Sequence, residues 1–95
     1  KMTATHPGEV LLHEFLKPLA LSQNRLALDM RVPARRINEI VESKRRISPD
    51  TALRLEKLFG MEAQVWLNLQ LAWDLYHAIH SASAAEIARI QPLQA

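Results

Sequence analysis

Proline and glycine divide this 95-residue chain into short segments, and within each segment the apolar residues recur with the spacing of an α-helix. Pro7, Pro33 and Pro49 each stand where a helix can begin, because the N–H group that proline lacks has no partner in the first helical turn. No segment alternates apolar and polar residues over the length of a strand. The sequence therefore predicts an all-α fold.

Three short helices are predicted in the first half of the chain. One begins at Pro7 and ends just before Pro18, since a proline cannot continue a helix. Ser22 is the expected N-cap of the second helix, and Pro33 opens the third, which ends near Ser43. Their inward faces are predicted to carry Leu11, Leu12, Phe15, Leu16, Leu19, Leu26, Ala27, Met30, Ile37, Ile40 and Val41.

Two further helices complete a predicted five-helix core. The fourth begins after the cap residue Ser48 and ends at Gly60, and the fifth runs from about residue 62 to residue 80. A short sixth helix is predicted to follow, because Ser83 and Glu86 have the spacing of a capping box. The inward faces of the fourth and fifth helices are predicted to carry Ala52, Leu55, Leu58, Phe59, Val65, Trp66, Leu69, Ala72, Trp73, Tyr76 and Ile79. The sixth helix carries the apolar residues Ile87 and Ile90.

The composition excludes several classes of protein. The absence of cysteine rules out a disulfide scaffold, a thiolate zinc site and a cysteine nucleophile. No apolar run approaches the roughly 18 residues that cross a bilayer, so no membrane partner is expected, and the location is expected to be cytoplasmic. The sequence has no pattern of nucleophile and base and no glycine-rich phosphate loop, so neither an enzyme nor a cofactor site is expected. His77 and His80 are three residues apart, but only Asp74 could complete a metal site, and none is predicted.

Positive charge is concentrated in one part of the chain. Residues 22–46 contain seven basic and three acidic residues, a net charge of +4, whereas the rest contains five basic and seven acidic residues, a net charge of −2. Such a local excess is typical of a nucleic-acid binder, although an ordinary solvated face would give the same count.

The predicted second and third helices form a helix-turn-helix, in which two short helices meet across a tight turn. The residues with the spacing needed to hold the two helices together are Leu26, Ala27, Met30, Val32, Ile37 and Ile40. The turn of such a motif usually needs a positive φ, which glycine adopts freely, but this chain has Arg31 there. Arg31 is expected either to adopt that conformation at a cost of about 1 kcal/mol or to shift the geometry of the turn.

The outward face of the third helix is predicted to contact DNA bases through Ala34, Arg35, Asn38 and Glu39. Arg35 suits guanine O6 and N7, and Asn38 suits either an adenine or a phosphate. Glu39 could accept a hydrogen bond from cytosine N4, or it could act as a repulsive guard or a plain surface carboxylate. Contacts to the DNA backbone are predicted for Ser22, Gln23, Asn24, Arg36, Lys44, Arg45, Arg46 and Ser48.

Five motifs of the chain resemble the HigA (VapI-like) antitoxins of the XRE helix-turn-helix class. They are His6–Leu11 (HPGEVL), Leu21–Gln23 (LSQ), Arg36–Val41 (RINEIV), Ile47–Leu55 (ISPDTALRL) and Trp66–Gln70 (WLNLQ) with the later pair Asp74–Leu75. The resemblance covers about residues 6–77. It implies a lambda-repressor-like five-helix core, a homodimer, binding to a palindromic operator upstream of its own operon, and neutralisation of a cognate HigB-type mRNA endonuclease toxin. A different class of function would be a protein-interaction module that sequesters a toxin without binding DNA.

The chain is expected to divide into three parts. Residues 1–5 are predicted to be disordered, with Lys1 added ahead of the natural start at Met2; residues 6–80 form the DNA-binding domain, and residues 81–95 a tail. In the fifth helix, Trp66 is expected in the core, and Asn68 and Gln70 are expected to bind backbone groups of neighbouring turns. Leu67, Leu71, Leu75, Ile87 and Ile90 could form a dimer interface or could simply cover the core, and the first helix is a competing interface.

Overall fold

The computed structural model describes residues 4–93, and every regular element in that range is helical. Four of the predicted helices and the short sixth helix are confirmed as continuous α-helices, while the first contains a change of helix type. The elements are α1 (Pro7–Val10), a π-helical segment (Leu11–Leu16), α2 (Gln23–Met30), α3 (Ala34–Val41), α4 (Pro49–Phe59), α5 (Ala63–Ile79) and α6 (Ala84–Ala88). Of the segment predicted to be disordered, residues 1–3 lie outside the described range, and residues 4 and 5 have no regular secondary structure.

Local chemistry sets most of the helix boundaries. The Ser22 hydroxyl accepts a hydrogen bond from the backbone N–H of Arg25 at 3.0 Å, and the Ser48 hydroxyl accepts one from that of Thr51 at 3.2 Å. Gly60 ends α4 with a φ of 86°, a conformation that costs glycine little. These three predictions are confirmed.

The third helix begins one residue later than predicted, so that Pro33 precedes the helix and is not its first residue. With a φ of −62° and a ψ of 142°, Pro33 is the N-cap of α3, and the helix begins at Ala34.

The first helix has a form that apolar spacing does not predict. After Val10 the chain continues as a π-helix, and the N–H of Lys17 bonds the carbonyl of Leu12 at 2.9 Å. The helical pattern ends just before Pro18, as predicted, because the proline has no N–H and its ring crowds the carbonyl four residues earlier.

One hydrophobic core joins α1 through the first half of α5. Its buried members are Leu11, Leu16, Leu26, Ala27, Met30, Ile37, Ile40, Ile47, Ala52, Leu55 and Trp66. The start of α1 passes so close to the end of α3 that a Cβ on Gly8 would lie 1.8 Å from the carbonyl oxygen of Ile40. Gln70 is also buried, and its side-chain oxygen accepts a hydrogen bond from the backbone N–H of Ile47 at 2.7 Å. The predicted places of Trp66 and Gln70 are therefore confirmed.

Some residues predicted to face inward are exposed instead. The prediction is wrong for Leu19, Leu58, Val65, Ala72 and Ile79. For Ala72 and Ile79 the reason is that α5 continues past the core, and the molecule measures 53 Å in one direction and 25 Å in the other two. Apolar side chains of this projecting region form what we call the α5–α6 stripe: Leu71, Leu75, Ile79, Ile87 and Ile90, each more than half exposed.

Two other local predictions on the fifth and sixth helices are wrong. Ser83 has helical backbone angles and forms no side-chain cap, so the capping box is absent, and Glu86 pairs with Arg89 at 3.4 Å instead. Asn68 accepts a hydrogen bond from the side chain of Gln64 at 3.0 Å, rather than contacting a backbone group.

Two findings concern membranes and metals. Within residues 4–93, no helix is both long and apolar enough to cross a membrane. The same part of the chain has no group of three histidine, aspartate or glutamate side chains placed to hold a metal ion.

Candidate nucleic-acid interface

The turn between α2 and α3 is tight and includes a left-handed residue. Arg31 has a φ of 59° and a ψ of 45°, so the first of the two expected outcomes is observed and the turn keeps its usual conformation. The N–H of Val32 bonds the carbonyl of Ala27 at 3.0 Å, which closes the end of α2. Ala27, Ile37 and Ile40 are buried between the two helices, as predicted.

One carboxylate and two guanidinium groups form a cluster at the exposed face of α3, and one of the guanidinium groups comes from the segment after the helix. Glu39 accepts a hydrogen bond from Arg35 at 2.8 Å and a second from Arg45 at 2.9 Å. These two bonds hold the pKa of Glu39 below its usual range, and the same carboxylate raises the pKa of Arg35. The Arg35 side chain is 85% exposed, so the cluster lies at the surface and places two arginines side by side.

Asn38 connects the face of α3 to the beginning of α2. Its side-chain nitrogen donates a hydrogen bond to the side-chain oxygen of Gln23 at 2.6 Å. Ser22, Gln23 and Asn24 stand at the N-terminal end of α2, where backbone N–H groups and the helix dipole favour an anion. Ala34 is half-buried and packs against the core at the start of α3.

The basic residues predicted to contact phosphates are held in ion pairs. Arg36 bonds Asp50 at 3.0 Å, Lys44 pairs with Glu42 at 3.5 Å, and Arg46 pairs with Asp74. Asp74 also accepts a hydrogen bond from Gln70 at 3.1 Å. Arg46 is therefore linked through Asp74 to the buried Gln70 of α5. The Ser48 hydroxyl is engaged by the cap of α4. The DNA-contacting roles of these residues and of Ala34, Arg35, Asn38 and Glu39 stay predictions.

Sequence reasoning missed Arg54, which links the helix-turn-helix to α4. Arg54 of α4 donates to Asp50 at 2.9 Å and to the backbone carbonyl oxygen of Met30 at 2.8 Å. The hydrogen bond from Arg54 and the one from Arg36 lower the pKa of Asp50. The four-residue spacing of Asp50 and Arg54 suggests their pairing, but the contact with Met30 spans 24 positions and leaves no local pattern.

Comparisons with known proteins identify the motif. Residues 12–66 match the helix-turn-helix family. Virulence-associated protein I of Dichelobacter nodosus is 55% identical over 75 residues, which cover 79% of this chain and 69% of that protein.

Solved structures agree with the match. Antitoxin HigA of Pseudomonas aeruginosa, solved with the higBA promoter, superimposes with a TM-score of 0.90 and 40% identity, covering 97% of this chain and 100% of that chain. Antitoxin GraA in complex with its operator gives a TM-score of 0.90 and 36% identity, covering 99% of this chain and 95% of that chain.

Proposed function

Because this chain belongs to the XRE-type helix-turn-helix family, in the branch that contains the HigA antitoxins, we propose that it is the antitoxin of a type II toxin–antitoxin module. In this proposal the protein represses its own operon by binding operator DNA and neutralises a HigB-type mRNA endonuclease. Its structural relatives solved with promoter and operator DNA support the first activity, and their description as antitoxins supports the second. Both activities are binding functions, and the family is one of regulators rather than enzymes.

The observation that carries the DNA-binding part is the exposed face of α3. Arg35 and Arg45 are held beside each other by Glu39, and Asn38 is hydrogen-bonded to Gln23 at the start of α2. The N-terminal part of a recognition helix meets base edges in the major groove. We therefore assign base contacts to Ala34, Arg35, Asn38 and Glu39, and backbone contacts to Ser22, Gln23, Asn24, Arg36, Lys44, Arg45, Arg46 and Ser48.

The α5–α6 stripe supports a homodimer. A palindromic operator presents two half-sites about 34 Å apart, so a single copy of the motif reads only half of it. The stripe is exposed on a helix that projects beyond the core, and a groove of about 300 Å³ between α5 and α6 is lined by Leu75, Ala78, Ile79, Ala84, Ile87 and Ala88. We therefore propose that two copies pair through this stripe and not through α1, which is packed against α3.

The remaining parts of the proposal concern location and domain boundaries. We propose a cytoplasmic location, because both the operator and a toxin that cleaves mRNA belong to that compartment. Residues 6–80 are assigned to DNA binding, and the tail that begins at residue 81 contributes α6 to the dimer.

A DNA-binding titration tests the proposal. Wild type and the variants Arg35→Ala and Asn38→Ala are titrated with the promoter of the chain's own operon and with scrambled DNA of equal length. Loss of a bidentate base contact is expected to weaken promoter binding by about one to two orders of magnitude, with a much smaller change on scrambled DNA. Lys57→Ala is the matched control, because Lys57 is exposed on α4 outside the residues assigned to DNA and to the dimer, and its loss removes the same charge. Equal affinity of wild type for both DNAs would contradict the repressor proposal.

A second candidate function is a module that sequesters the toxin without binding DNA. The observation that favours it is the pairing of Arg35 and Arg45 with Glu39, which partly neutralises the recognition face. Under this alternative, the chain forms a stable complex with the toxin encoded beside it, while neither the chain nor the complex binds the promoter.

A further inference from the structure

Arg54 forms a bridge between the turn of the helix-turn-helix and the helix that follows it. Its Nη1 atom donates to the carbonyl oxygen of Met30 at 2.8 Å and approaches that of Arg31 at 3.4 Å. Its Nε atom donates to the Asp50 carboxylate at 2.9 Å. One side chain of α4 therefore contacts both the last residue of α2 and the left-handed residue after it.

The contacted carbonyl groups need such a partner. The last four carbonyls of an α-helix have no partner within the helix and carry the negative end of its dipole. A guanidinium group satisfies these oxygens and neutralises the dipole. It also holds Arg31 in the left-handed conformation that a non-glycine residue adopts only at a cost in energy.

The same bridge extends to the recognition helix. One oxygen of Asp50 accepts hydrogen bonds from Arg54 and from Arg36 of α3, at 2.9 Å and 3.0 Å. The end of α2, the start of α3 and the start of α4 are thus connected through two arginines and one carboxylate. Arginine reaches the two acceptors through two different nitrogens, Nη1 and Nε. The three N–H donors of lysine all lie on one nitrogen, which cannot occupy both positions at once.

We propose that Arg54 is a positioning residue for DNA recognition, which fixes the angle of α3 by locking the turn at Arg31 and by holding Asp50 against Arg36. This inference rests on the proposed function, since it concerns how the same surface distinguishes its operator from other DNA. Arg54 acts through the turn and through Asp50, and its effect is on the ratio of operator affinity to affinity for scrambled DNA.

The test compares Arg54→Lys with wild type and with the double variant Arg54→Lys/Arg31→Gly. Lysine keeps the charge, so the salt dependence of binding to scrambled DNA is expected to stay unchanged. The ratio of operator affinity to scrambled-DNA affinity is expected to fall about tenfold, because the lost hydrogen bonds loosen the turn. Arg31→Gly is expected to restore most of the ratio, since glycine adopts the left-handed conformation without strain. Arg25→Lys is the matched control, because Arg25 also pairs with an aspartate four positions away and lies outside the residues assigned to DNA and to the dimer.

A second measurement does not depend on DNA. Amide hydrogen exchange of Val32, whose N–H closes the end of α2, is expected to be about tenfold faster in Arg54→Lys. If wild type fails to bind its promoter, the proposed function fails, and the exchange of Val32 still tests the bridge. An unchanged exchange rate and an unchanged affinity ratio would each overturn the positioning role. Equal losses on both DNAs, or no recovery with Arg31→Gly, would reduce Arg54 to a general stabilising residue and overturn it as well.

Discussion

The two ends of the molecule differ in what covers their apolar side chains. From Pro7 to Gln70 the helices surround one core, and Trp66, Leu55 and Ile37 are completely buried. From residue 71 to residue 93 no residue is buried, although this region carries the α5–α6 stripe. The apolar side chains of the first region pack against one another in a core, whereas those of the second region are not buried. The first region therefore has a hydrophobic core, and the second offers the exposed surface through which we propose that two copies pair.

The largest expected difference between the two regions is in the free energy of unfolding lost when a leucine is replaced by alanine. Leu55→Ala creates a cavity in the core and is expected to lower the free energy of unfolding by about 2–5 kcal/mol. Leu75→Ala removes the same atoms from an exposed position and is expected to cost less than about 1 kcal/mol in the monomer. Urea unfolding at low protein concentration measures both values. Similar losses for the two variants would contradict the division into two regions.

The second prediction concerns association through the α5–α6 stripe. Leu75→Asp places a charge on each side of the proposed two-fold interface and is expected to raise the dimer dissociation constant about a hundredfold or more. Sedimentation equilibrium measures this constant. Leu19→Asp is the control. Leu19 is as exposed as Leu75, but it lies just after the first helix, which is the alternative dimer interface. If Leu19→Asp dissociates the dimer and Leu75→Asp does not, the dimer forms through the first helix and not through the α5–α6 stripe.

A smaller effect is expected at the boundary between the regions, where Gln70 is the last buried residue up to residue 93. Gln70→Leu removes the acceptor of the buried Ile47 N–H and is expected to cost about 1–3 kcal/mol of stability. Gln64→Leu is the matched control on the exposed face of α5, where the substitution removes a surface hydrogen bond to Asn68. Thermal unfolding of the two variants measures the difference, and equal changes in melting temperature would count against a structural role for Gln70.

The smallest expected effect is a pH dependence from His6. This residue is buried, its Nδ1 atom accepts a hydrogen bond from the N–H of Gly8 at 2.9 Å, and its ring contacts that of Trp73 edge to face. Burial lowers the pKa of His6, although the carboxylates of Asp74 and Glu9 oppose the shift. The unfolded chain therefore binds a proton near pH 6.5, whereas the folded chain binds it only at lower pH.

It follows that the contribution of His6 to stability is complete above about pH 6.5 and is lost as the pH falls toward the pKa of the folded state. His6→Asn keeps an acceptor for the Gly8 N–H but removes the titration. Denaturant unfolding between about pH 7 and pH 5 is expected to show a shallower loss of stability in His6→Asn than in wild type. If stability falls equally with pH in the two proteins, His6 is not the source of the pH dependence.

Local chemistry in the sequence predicts the helix boundaries but not the pairing of distant side chains. Ser22, Ser48 and Gly60 end or begin helices through contacts with residues at most four positions away, so their roles are visible in the sequence. The apolar spacing of α5 identifies an amphipathic face, but it cannot show that the core ends at Gln70 and leaves Ile79 exposed.

The candidate site shows the same limit. The helical wheel of α3 correctly separates the buried Ile37 from the exposed Arg35. It cannot indicate that Arg36 meets Asp50, 14 positions away, or that Arg46 meets Asp74, 28 positions away. Those contacts depend on how α4 and α5 pack against the motif, which is a property of the tertiary structure. The bridge of Arg54 was missed for the same reason.

The Glu39 carboxylate has a further consequence for how quickly the protein finds its operator. Any phosphate that approaches Arg35 or Arg45 must compete with a carboxylate already bound to both. Contacts with random DNA are therefore expected to be brief, and the protein is expected to slide and hop rapidly between sites. On the operator, specific base contacts would compensate for the broken ion pairs, so residence time, and not only affinity, would distinguish the correct sequence.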